Sequence, residues 1–152
     1  MLGFQAGAQV SIEATAEAFE KVFGKGDLLD HYIEKFSSCN NIHFEGYIDN
    51  KLVQTVLKKS SVLYFAAHPT KVLEYGQSLN KVIDYMYSGR PIIASFTGYK
   101  SMINESNCGF FLPADDKNLL TDTILELSSV PKSELDEMGK RGYDWLVKNR
   151  TY

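Results

Sequence analysis

Two kinds of apolar segment alternate along this chain, and their alternation restricts the fold more than any other feature. Val62–Ala66 and residues 91–95 are short, apolar and β-prone, with a proline at the first position of the second run. Such runs are typical of strands that are buried on both faces of a sheet, and proline is tolerated where a strand begins. Residues 42–44 and Gly109–Leu112 are shorter candidates. We therefore predict four buried strands.

Between these runs lie amphipathic segments with helical spacing. Asp49 is a plausible N-cap for the first of them, and Ser78 for the second. The apolar stripes are Leu52, Val53, Val56 and Leu57; Leu79, Val82, Ile83 and Met86; Leu119, Leu120, Ile124 and Leu127; and Leu135, Met138, Trp145 and Leu146.

The predicted order is strand, helix, strand, helix, strand, short helix, strand, helix, helix. Helices between buried strands imply right-handed parallel crossovers. The sequence thus predicts an α/β fold, a Rossmann-like parallel sheet flanked by helices, in one domain. In such a sheet a ligand binds beyond the carboxyl ends of the strands, so the loops that follow strands are the places to search.

The leading segment, residues 1–23, allows two interpretations, and we assign the Rossmann-like domain itself to residues 24–152. Residues 11–21 have the spacing of one helix, on Ile12, Thr15, Ala16 and Phe19. Residues 19–23 equally have the character of a strand that leads into the Gly24-Lys25-Gly26-Asp27 loop. The sequence does not decide between these alternatives.

Composition and motifs exclude several classes of protein. The formal net charge is −3 and there is no run of basic residues, which argues against a dedicated binder of nucleic acid or of anionic membranes. The two cysteines, Cys39 and Cys108, lack the spacing of a disulfide scaffold or a zinc site. No serine-hydrolase or metalloprotease motif is present.

The densest group of polar residues lies between positions 74 and 91. Ser78 precedes a predicted helix whose first turn holds Asn80 and Lys81, and unpaired N–H groups there favour phosphate. Asp84 follows one turn later and can accept two hydrogen bonds from the vicinal diol of a ribose. Helical spacing places Lys81, Asp84 and Ser88 on the face opposite the apolar stripe. The alternative is a solvated helix face with a Lys81–Asp84 ion pair.

Three other loops are weaker candidates for a ligand site. The loop at residues 24–27 has two glycines but lacks a dinucleotide or Walker spacing, and the loop that contains Gly98 follows a buried strand. His68 follows another buried strand and could donate or accept a hydrogen bond. Each of these is also explained as an ordinary turn.

From residue 24 onward the chain resembles the C-terminal, donor-binding domain of the GT-B glycosyltransferases, in particular the retaining group called family 4. Ordered pieces carry the resemblance, and the most specific is the run from Tyr75 to Pro91. This run is similar to the "YGxSxNKxxDYMxxGRP" variant found in transferases of capsule, O-antigen and other surface polysaccharides. The remaining pieces are GKGD at 24–27, NIHFEGYI at 41–48, the strand from Ser60, and Gly98, Glu105, Gly109 and Pro113.

The resemblance implies roles for individual residues. The family has two acids separated by seven residues, and the second of them, which binds the ribose, matches Asp84. The first would fall at Gly76, so the nearest acid, Glu74, is assigned to the donor sugar. Ser78, Asn80, Lys81 and Gly98 would line the substrate, with the first three at the diphosphate. No cofactor, no bound metal and no catalytic residue on this chain are implied.

The implied function is transfer of a hexosyl group, with retention, from a nucleotide sugar to a saccharide or lipid-linked acceptor in surface polysaccharide synthesis. The donor is expected to be a UDP-sugar in preference to a GDP-sugar. The expected location is the cytoplasm, at the inner face of the membrane, because acceptors of this group are commonly lipid-linked.

The chain departs from the family in two respects. Residues 1–21 lack the family's "GRxxxxKG" loop, and we expect the family's N-terminal acceptor-binding domain to be missing. We therefore expect a donor-domain fragment that is inactive alone and needs an acceptor domain or subunit. Two alternatives stay open: an interaction module that docks on a separate acceptor-domain subunit through the helix surface near Trp145 and Tyr152, and a GT-B-like sugar-nucleotide epimerase domain.

Overall fold

A computed structural model describes residues 2–5, 20–23, 29–66, 80–95, 102–114 and 116–150. These residues form six strands and six helices. The strands are β1 (Leu2–Gln5), β2 (Glu20–Phe23), β3 (Ile42–Gly46), β4 (Val62–Ala66), β5 (Ile92–Ser95) and β6 (Gly109–Leu112). The helices are α1 (Leu29–Lys35), α2 (Asn50–Lys59), α3 (Asn80–Ser88), α4 (Met102–Ser106), α5 (Lys117–Ser128) and α6 (Lys132–Arg150).

All six strands pair in parallel in the order β3-β2-β1-β4-β5-β6. This order is the one that defines doubly wound dinucleotide-binding sheets. The prediction of a Rossmann-like parallel sheet flanked by helices is therefore confirmed. In the leading segment, residues 20–23 form the strand alternative, and β1 occupies the middle of the sheet between β2 and β4.

Successive residues of β4 and β5 supply two separate cores, because side chains of a strand alternate between faces. Tyr64 and Ile93 pack on one face with α5 and the start of α6. Leu63 and Ile92 pack on the other face with α2, α3, α4 and the end of α6. All four side chains are at most 2% exposed, which explains why the two strands are apolar throughout.

Local signals fix the ends of two helices. The Asp49 carboxylate accepts a hydrogen bond from the Lys51 N–H at 2.9 Å, as predicted for the N-cap of α2. Asp116 caps α5 in the same way through the Leu119 N–H, at 3.0 Å. Each cap satisfies one of the backbone donors that a helix leaves unpaired at its start.

Two glycines let α6 pack closely against its neighbours. A Cβ atom at position 139 would lie 2.1 Å from the carbonyl oxygen of Gly89, and one at position 142 would lie 2.9 Å from the sulfur of Cys108. Gly89 itself has a φ of +69°, the left-handed region that ends α3 without strain only for glycine. The backbone of the turn between α3 and β5 is therefore in direct contact with α6.

Candidate functional site

The first turn of α3 lies at the carboxyl edge of the sheet. Helix α3 connects β4 to its parallel neighbour β5, so it runs opposite to both strands and begins where β4 ends. β4 also pairs with β1. The strand that follows β1 in the chain, β2, lies on one side of this pair, and the strand that follows β4, β5, lies on the other. Sheets of this type bind their ligands at that switch point. Asn80, at the start of α3, is therefore in the expected position for a ligand site.

The exposed side of α3 carries the two charged residues that the sequence singled out. Val82, Tyr85 and Met86 are buried against the sheet, whereas Lys81 and Asp84 are exposed. The described ion pairs involve Arg90, Lys132 and Lys140, so the alternative of a Lys81–Asp84 pair is not what the structure shows. Both charges face away from the core and are accessible.

The predicted division of α3 into faces is wrong at two positions. Ser88 was expected on the polar face but is buried, and its hydroxyl donates to the Tyr85 carbonyl at 2.6 Å. Ile83 was expected in the core but is 37% exposed. Helix α3 packs against both α2 and α6, and spacing along α3 alone does not reveal which of its sides these neighbours cover.

Lys81 combines exposure with partial desolvation. Neighbouring protein atoms remove part of the water around its ammonium group, which lowers the pKa of Lys81. Its position in the first turn places this charge beside the unpaired N–H groups of α3. The two sources of positive potential add, so this end of the helix suits an anionic group such as phosphate.

Asp84 is held at the site through its backbone. The side-chain amide of Gln54, on α2, donates to the Asp84 carbonyl at 3.0 Å and ties the two helices together. The other amide atom, Oε1, is buried and has no partner within the described part of the chain. Sequence reasoning missed Gln54, because one glutamine in an amphipathic helix carries no distinctive signal. Gln54 has a role only because α2 packs against α3, which brings its amide to the Asp84 carbonyl.

Tyr85, the buried neighbour of Asp84, is affected by the charge of Asp84. The Tyr85 hydroxyl donates to the Tyr64 carbonyl at 3.5 Å. Burial raises the pKa of Tyr85, and the nearby negative charge of Asp84 raises it further. Tyr85 is therefore a neutral phenol whose hydroxyl points to the sheet, and the side chain of Asp84 is exposed, where its oxygens can accept hydrogen bonds from hydroxyl groups.

Several predicted site residues lie outside the described residues: Glu74, Ser78, Gly98, His68 and the loop at 24–27. Asn80 is described only as the first residue of α3. At the same edge of the sheet, the Ser95 hydroxyl donates to the Pro113 carbonyl at 3.0 Å and joins the ends of β5 and β6. The structure thus brings together Asn80, Lys81 and Asp84 of the predicted set.

Arg90, in the Gly-Arg-Pro run, lies at the opposite edge of the sheet and has structural partners. Its Nε and Nη2 donate to the Lys58 carbonyl at 2.9 and 2.5 Å, and its Nη1 lies 2.6 Å from Asp136. Hydrogen bonding from Lys132, and then the charges of Lys132 and Arg90, lower the pKa of Asp136. Arg90 therefore fastens the end of α2 to α6 and takes no part in the site.

Replacing Arg90 by methionine removes these bonds and keeps the apolar stem. We expect the melting temperature to fall by about 5 °C, with nucleotide binding at the other edge unchanged. Thermal unfolding followed by circular dichroism measures the change, and Arg150→Met at the exposed end of α6 is the matched control. Equal melting temperatures for the two variants would contradict the structural role.

Among the described residues, no cluster of three or more His, Cys, Asp or Glu side chains has the geometry to hold a metal ion. None of the described helices has the length and apolar character that crossing a membrane demands.

Comparison with known proteins points to one family. Residues 5–129 match the family model described as "Glycosyl transferases group 1". The search of curated protein sequences finds no significant match.

Solved structures of this fold include TarM from S. aureus, a variant of which was crystallised with fondaparinux, alpha-GlcNAc-glycerol and UDP. It aligns with a TM-score of 0.73 and 18% identity over 99% of this chain and 32% of TarM. HepE from Anabaena, in complex with UDP-glucose, aligns with a TM-score of 0.70 and 12% identity over 97% of this chain and 43% of HepE.

The C-terminal domain of the group 1 protein LpcC from Francisella tularensis aligns with a TM-score of 0.69 and 16% identity over 97% of this chain and 84% of that domain. This chain thus spans less than half of TarM and HepE but most of the LpcC domain. At these identities the likeness establishes a shared GT-B C-terminal domain fold.

Proposed function

We propose a function from the family of this chain, which belongs to the glycosyl transferases group 1. The chain binds the nucleotide-sugar donor of a glycosyltransferase. One observation carries the proposal: Lys81 and Asp84 are both exposed on α3, which begins at the carboxyl edge of the sheet. A diphosphate at the first turn and a ribose one turn later match the order of these groups in a nucleotide.

The chemistry of the transfer fits this arrangement. When the bond between the sugar and the diphosphate breaks, negative charge builds up on the departing diphosphate. The ammonium of Lys81 and the N–H groups at the start of α3 would stabilise that charge from fixed positions. We assign Ser78 and Asn80 to the same diphosphate, and Glu74 and Gly98 to the donor sugar and its surroundings. No step of this scheme requires a metal ion or a cofactor.

The finer assignments extend the same proposal. A UDP-sugar donor is supported by the UDP bound in the TarM variant and the UDP-glucose bound in HepE. Retention of configuration, a hexosyl donor and a role in capsule or O-antigen synthesis rest on the resemblance of residues 75–91. So does action on a saccharide or lipid-linked acceptor at the cytoplasmic face of a membrane. An N-terminal acceptor domain or subunit would complete the active site.

Two substitutions test the donor site through different parts of the nucleotide. Lys81→Ala is expected to weaken binding of both UDP and inorganic pyrophosphate about tenfold, the loss of one charge-assisted hydrogen bond. Asp84→Asn is expected to weaken UDP binding about tenfold and to leave pyrophosphate binding unchanged, because it faces the ribose. Isothermal titration calorimetry measures both affinities.

The controls are substitutions of the same type elsewhere. Lys59→Ala removes an exposed lysine at the last residue of α2, at the edge of the sheet opposite the candidate site. Asp122→Asn removes an exposed carboxylate of α5, on the opposite face of the sheet. Neither control should change UDP affinity. UDP affinity that is unaffected by Lys81→Ala would overturn the assignment of the diphosphate, and pyrophosphate binding that falls with Asp84→Asn would overturn that of the ribose.

A further inference from the structure

Four partly exposed apolar side chains form one surface where α3 and α6 meet. Ile83 and Tyr87 on α3 are 37% and 48% exposed, and Tyr143 and Val147 on α6 are 39% and 41% exposed. Each pair is four residues apart, so each lies on a single side of its helix. The rings of Tyr87 and Tyr143 have centroids 5.7 Å apart. We call these four residues the α3–α6 patch.

The patch is continuous because the two helices pack antiparallel and close together. Position 139 of α6 lies against Gly89, just after α3, whereas position 142 lies near Met86. Advancing along α6 therefore means moving back along α3. Tyr143 lies beside Tyr87, and one further turn of α6 brings Val147 to the level of Ile83, one turn earlier on α3. Gly139 allows α6 to approach the turn that follows α3, and Gly142 allows it to approach Cys108.

Basic residues border the patch. The ammonium of Lys58 lies 5.8 Å from the centre of the Tyr87 ring. Lys140 precedes Tyr143 by three residues and Arg150 follows Val147 by three, so both lie on the same stripe of α6.

Two acidic groups near the patch are paired with basic side chains. Asp136 is paired with both Arg90 and Lys132, and Asp144 is paired with Lys140. The Lys140–Asp144 pair is neutral, and Asp136 with its two cations has a charge of +1. Lys58 and Arg150 add two positive charges against the exposed carboxylate of Asp84, so the surroundings of the tyrosines are positive overall.

The fold separates charge between the two faces of the sheet. Helices α2, α3, α4 and the end of α6 (residues 139–150) carry eight basic and three acidic side chains, whereas α1, α5 and the start of α6 (residues 132–138) carry three basic and seven acidic ones. The whole chain has a net charge of −3, so an anionic surface would repel it in most orientations and attract it through this side. A sequence without a basic run thus acquires a basic face by folding.

We infer that the α3–α6 patch docks on an anionic lipid surface. Tyrosine and lysine each have an apolar body and a polar tip, which is the character favoured at the boundary between headgroups and acyl chains. The patch spans the outer sides of two adjacent helices, which suits a planar bilayer. Flanking basic residues add attraction to anionic headgroups.

The inferred surface lies close to the candidate donor site. Lys81 and Tyr87 are six residues apart on α3, about 9 Å along the helix. A chain docked through the patch would hold its donor site next to the bilayer, where a lipid-linked acceptor would be within reach. That consequence rests on the proposed function, whereas the lipid contact itself does not.

The test is co-sedimentation of the chain with vesicles of phosphatidylcholine alone or mixed with phosphatidylglycerol. We expect binding only to the mixed vesicles, and weaker binding as salt is raised. The double variant Tyr87→Ser, Tyr143→Ser should bind about tenfold less because it loses the apolar contact. Lys58→Gln with Arg150→Gln should also bind less, with most of its loss at low salt.

Matched controls lie on the opposite face of the sheet. Leu119→Ser with Leu125→Ser replaces two similarly exposed apolar residues of α5, and Lys117→Gln replaces a lysine of the same helix. These variants should bind vesicles as the unaltered chain does. UDP titration of every variant separates the two proposals: patch variants that keep UDP affinity but lose vesicle binding support the lipid contact, whatever the outcome at Lys81 and Asp84.

Three results would overturn the inference. The first is no binding to the mixed vesicles. The second is vesicle binding that the patch variants leave unchanged. The third is a concentration-dependent dimer, seen by light scattering, that Tyr87→Ser with Tyr143→Ser abolishes, because the patch would then be covered by a second copy of the chain.

Discussion

Gly139→Ala is expected to destabilise the protein by about 3 kcal/mol or more, the upper part of the range for overpacking. Helix propensity alone gives the opposite sign, because alanine in a helix interior is favoured over glycine by about 1 kcal/mol. The tertiary contact decides the result. The added methyl carbon would lie 2.1 Å from the Gly89 carbonyl oxygen and 2.7 Å from the Arg90 Cα.

Those neighbours are backbone atoms, so they cannot rotate away from the methyl group. Helix α6 would have to move from the turn that joins α3 to β5, and the Arg90 bonds to Lys58 and Asp136 would be strained with it. The clash thus spreads to three elements.

Urea unfolding followed by circular dichroism measures the effect of Gly139→Ala. At this chain length a loss of 3 kcal/mol corresponds to a fall in melting temperature of about 10 °C. Ser133→Ala, at an exposed position of the same helix, is the matched control and should change stability by less than about 0.5 kcal/mol. A Gly139→Ala variant as stable as that control would show that α6 is not in close contact with the turn.

Ile92→Ala and Ile93→Ala are each expected to cost about 3 kcal/mol. Both side chains are 0% exposed, but they point to opposite faces of the sheet. Ile92 packs with residues of α3, α4 and α6, and Ile93 packs with residues of α5. Similar losses at two consecutive positions are the result that a sheet covered on both faces requires, because a sheet with one solvated face would tolerate one of the two changes.

Chemical denaturation of both variants makes this test, with Ile33→Ala as the control. Ile33 is 42% exposed on α1, so its truncation removes the same atoms with little loss of buried contact. We expect that control to lie within about 0.5 kcal/mol of the unaltered chain. A near-neutral result at either Ile92 or Ile93 would contradict the described packing on that face.

The order of elements from β3 onward was predictable because each element carries its own pattern. β4 and β5 are buried on both faces and are therefore apolar throughout, and the helices between them have apolar stripes. β1 was not predicted. Its four residues, Leu-Gly-Phe-Gln, have no regular pattern, and the central position of this strand comes from pairing with β2 and β4.

The candidate site was predictable in part. Lys81 and Asp84 could be identified because phosphate and ribose binding require those residue types one turn apart near the start of a helix. Gln54 could not be found, since its contact with Asp84 joins residues on two different helices. The resemblance treats Arg90 as part of one motif with the site residues, but in the structure Arg90 lies at the opposite edge of the sheet from them.

The sequence by itself determined the class of fold, the strands and helices from β3 onward, and the residue types near the start of α3, because these depend on local spacing and on burial that each segment encodes alone. Tertiary structure alone decided that Ser88 is buried on α3 while Ile83 is exposed, that Arg90 fastens α2 to α6, and that scattered lysines and tyrosines share one surface. These features depend on contacts between segments far apart in the chain, such as Gly89 with Gly139 and Tyr87 with Tyr143. The hydrophobic spacing within one segment carries no information about which other segment it will contact.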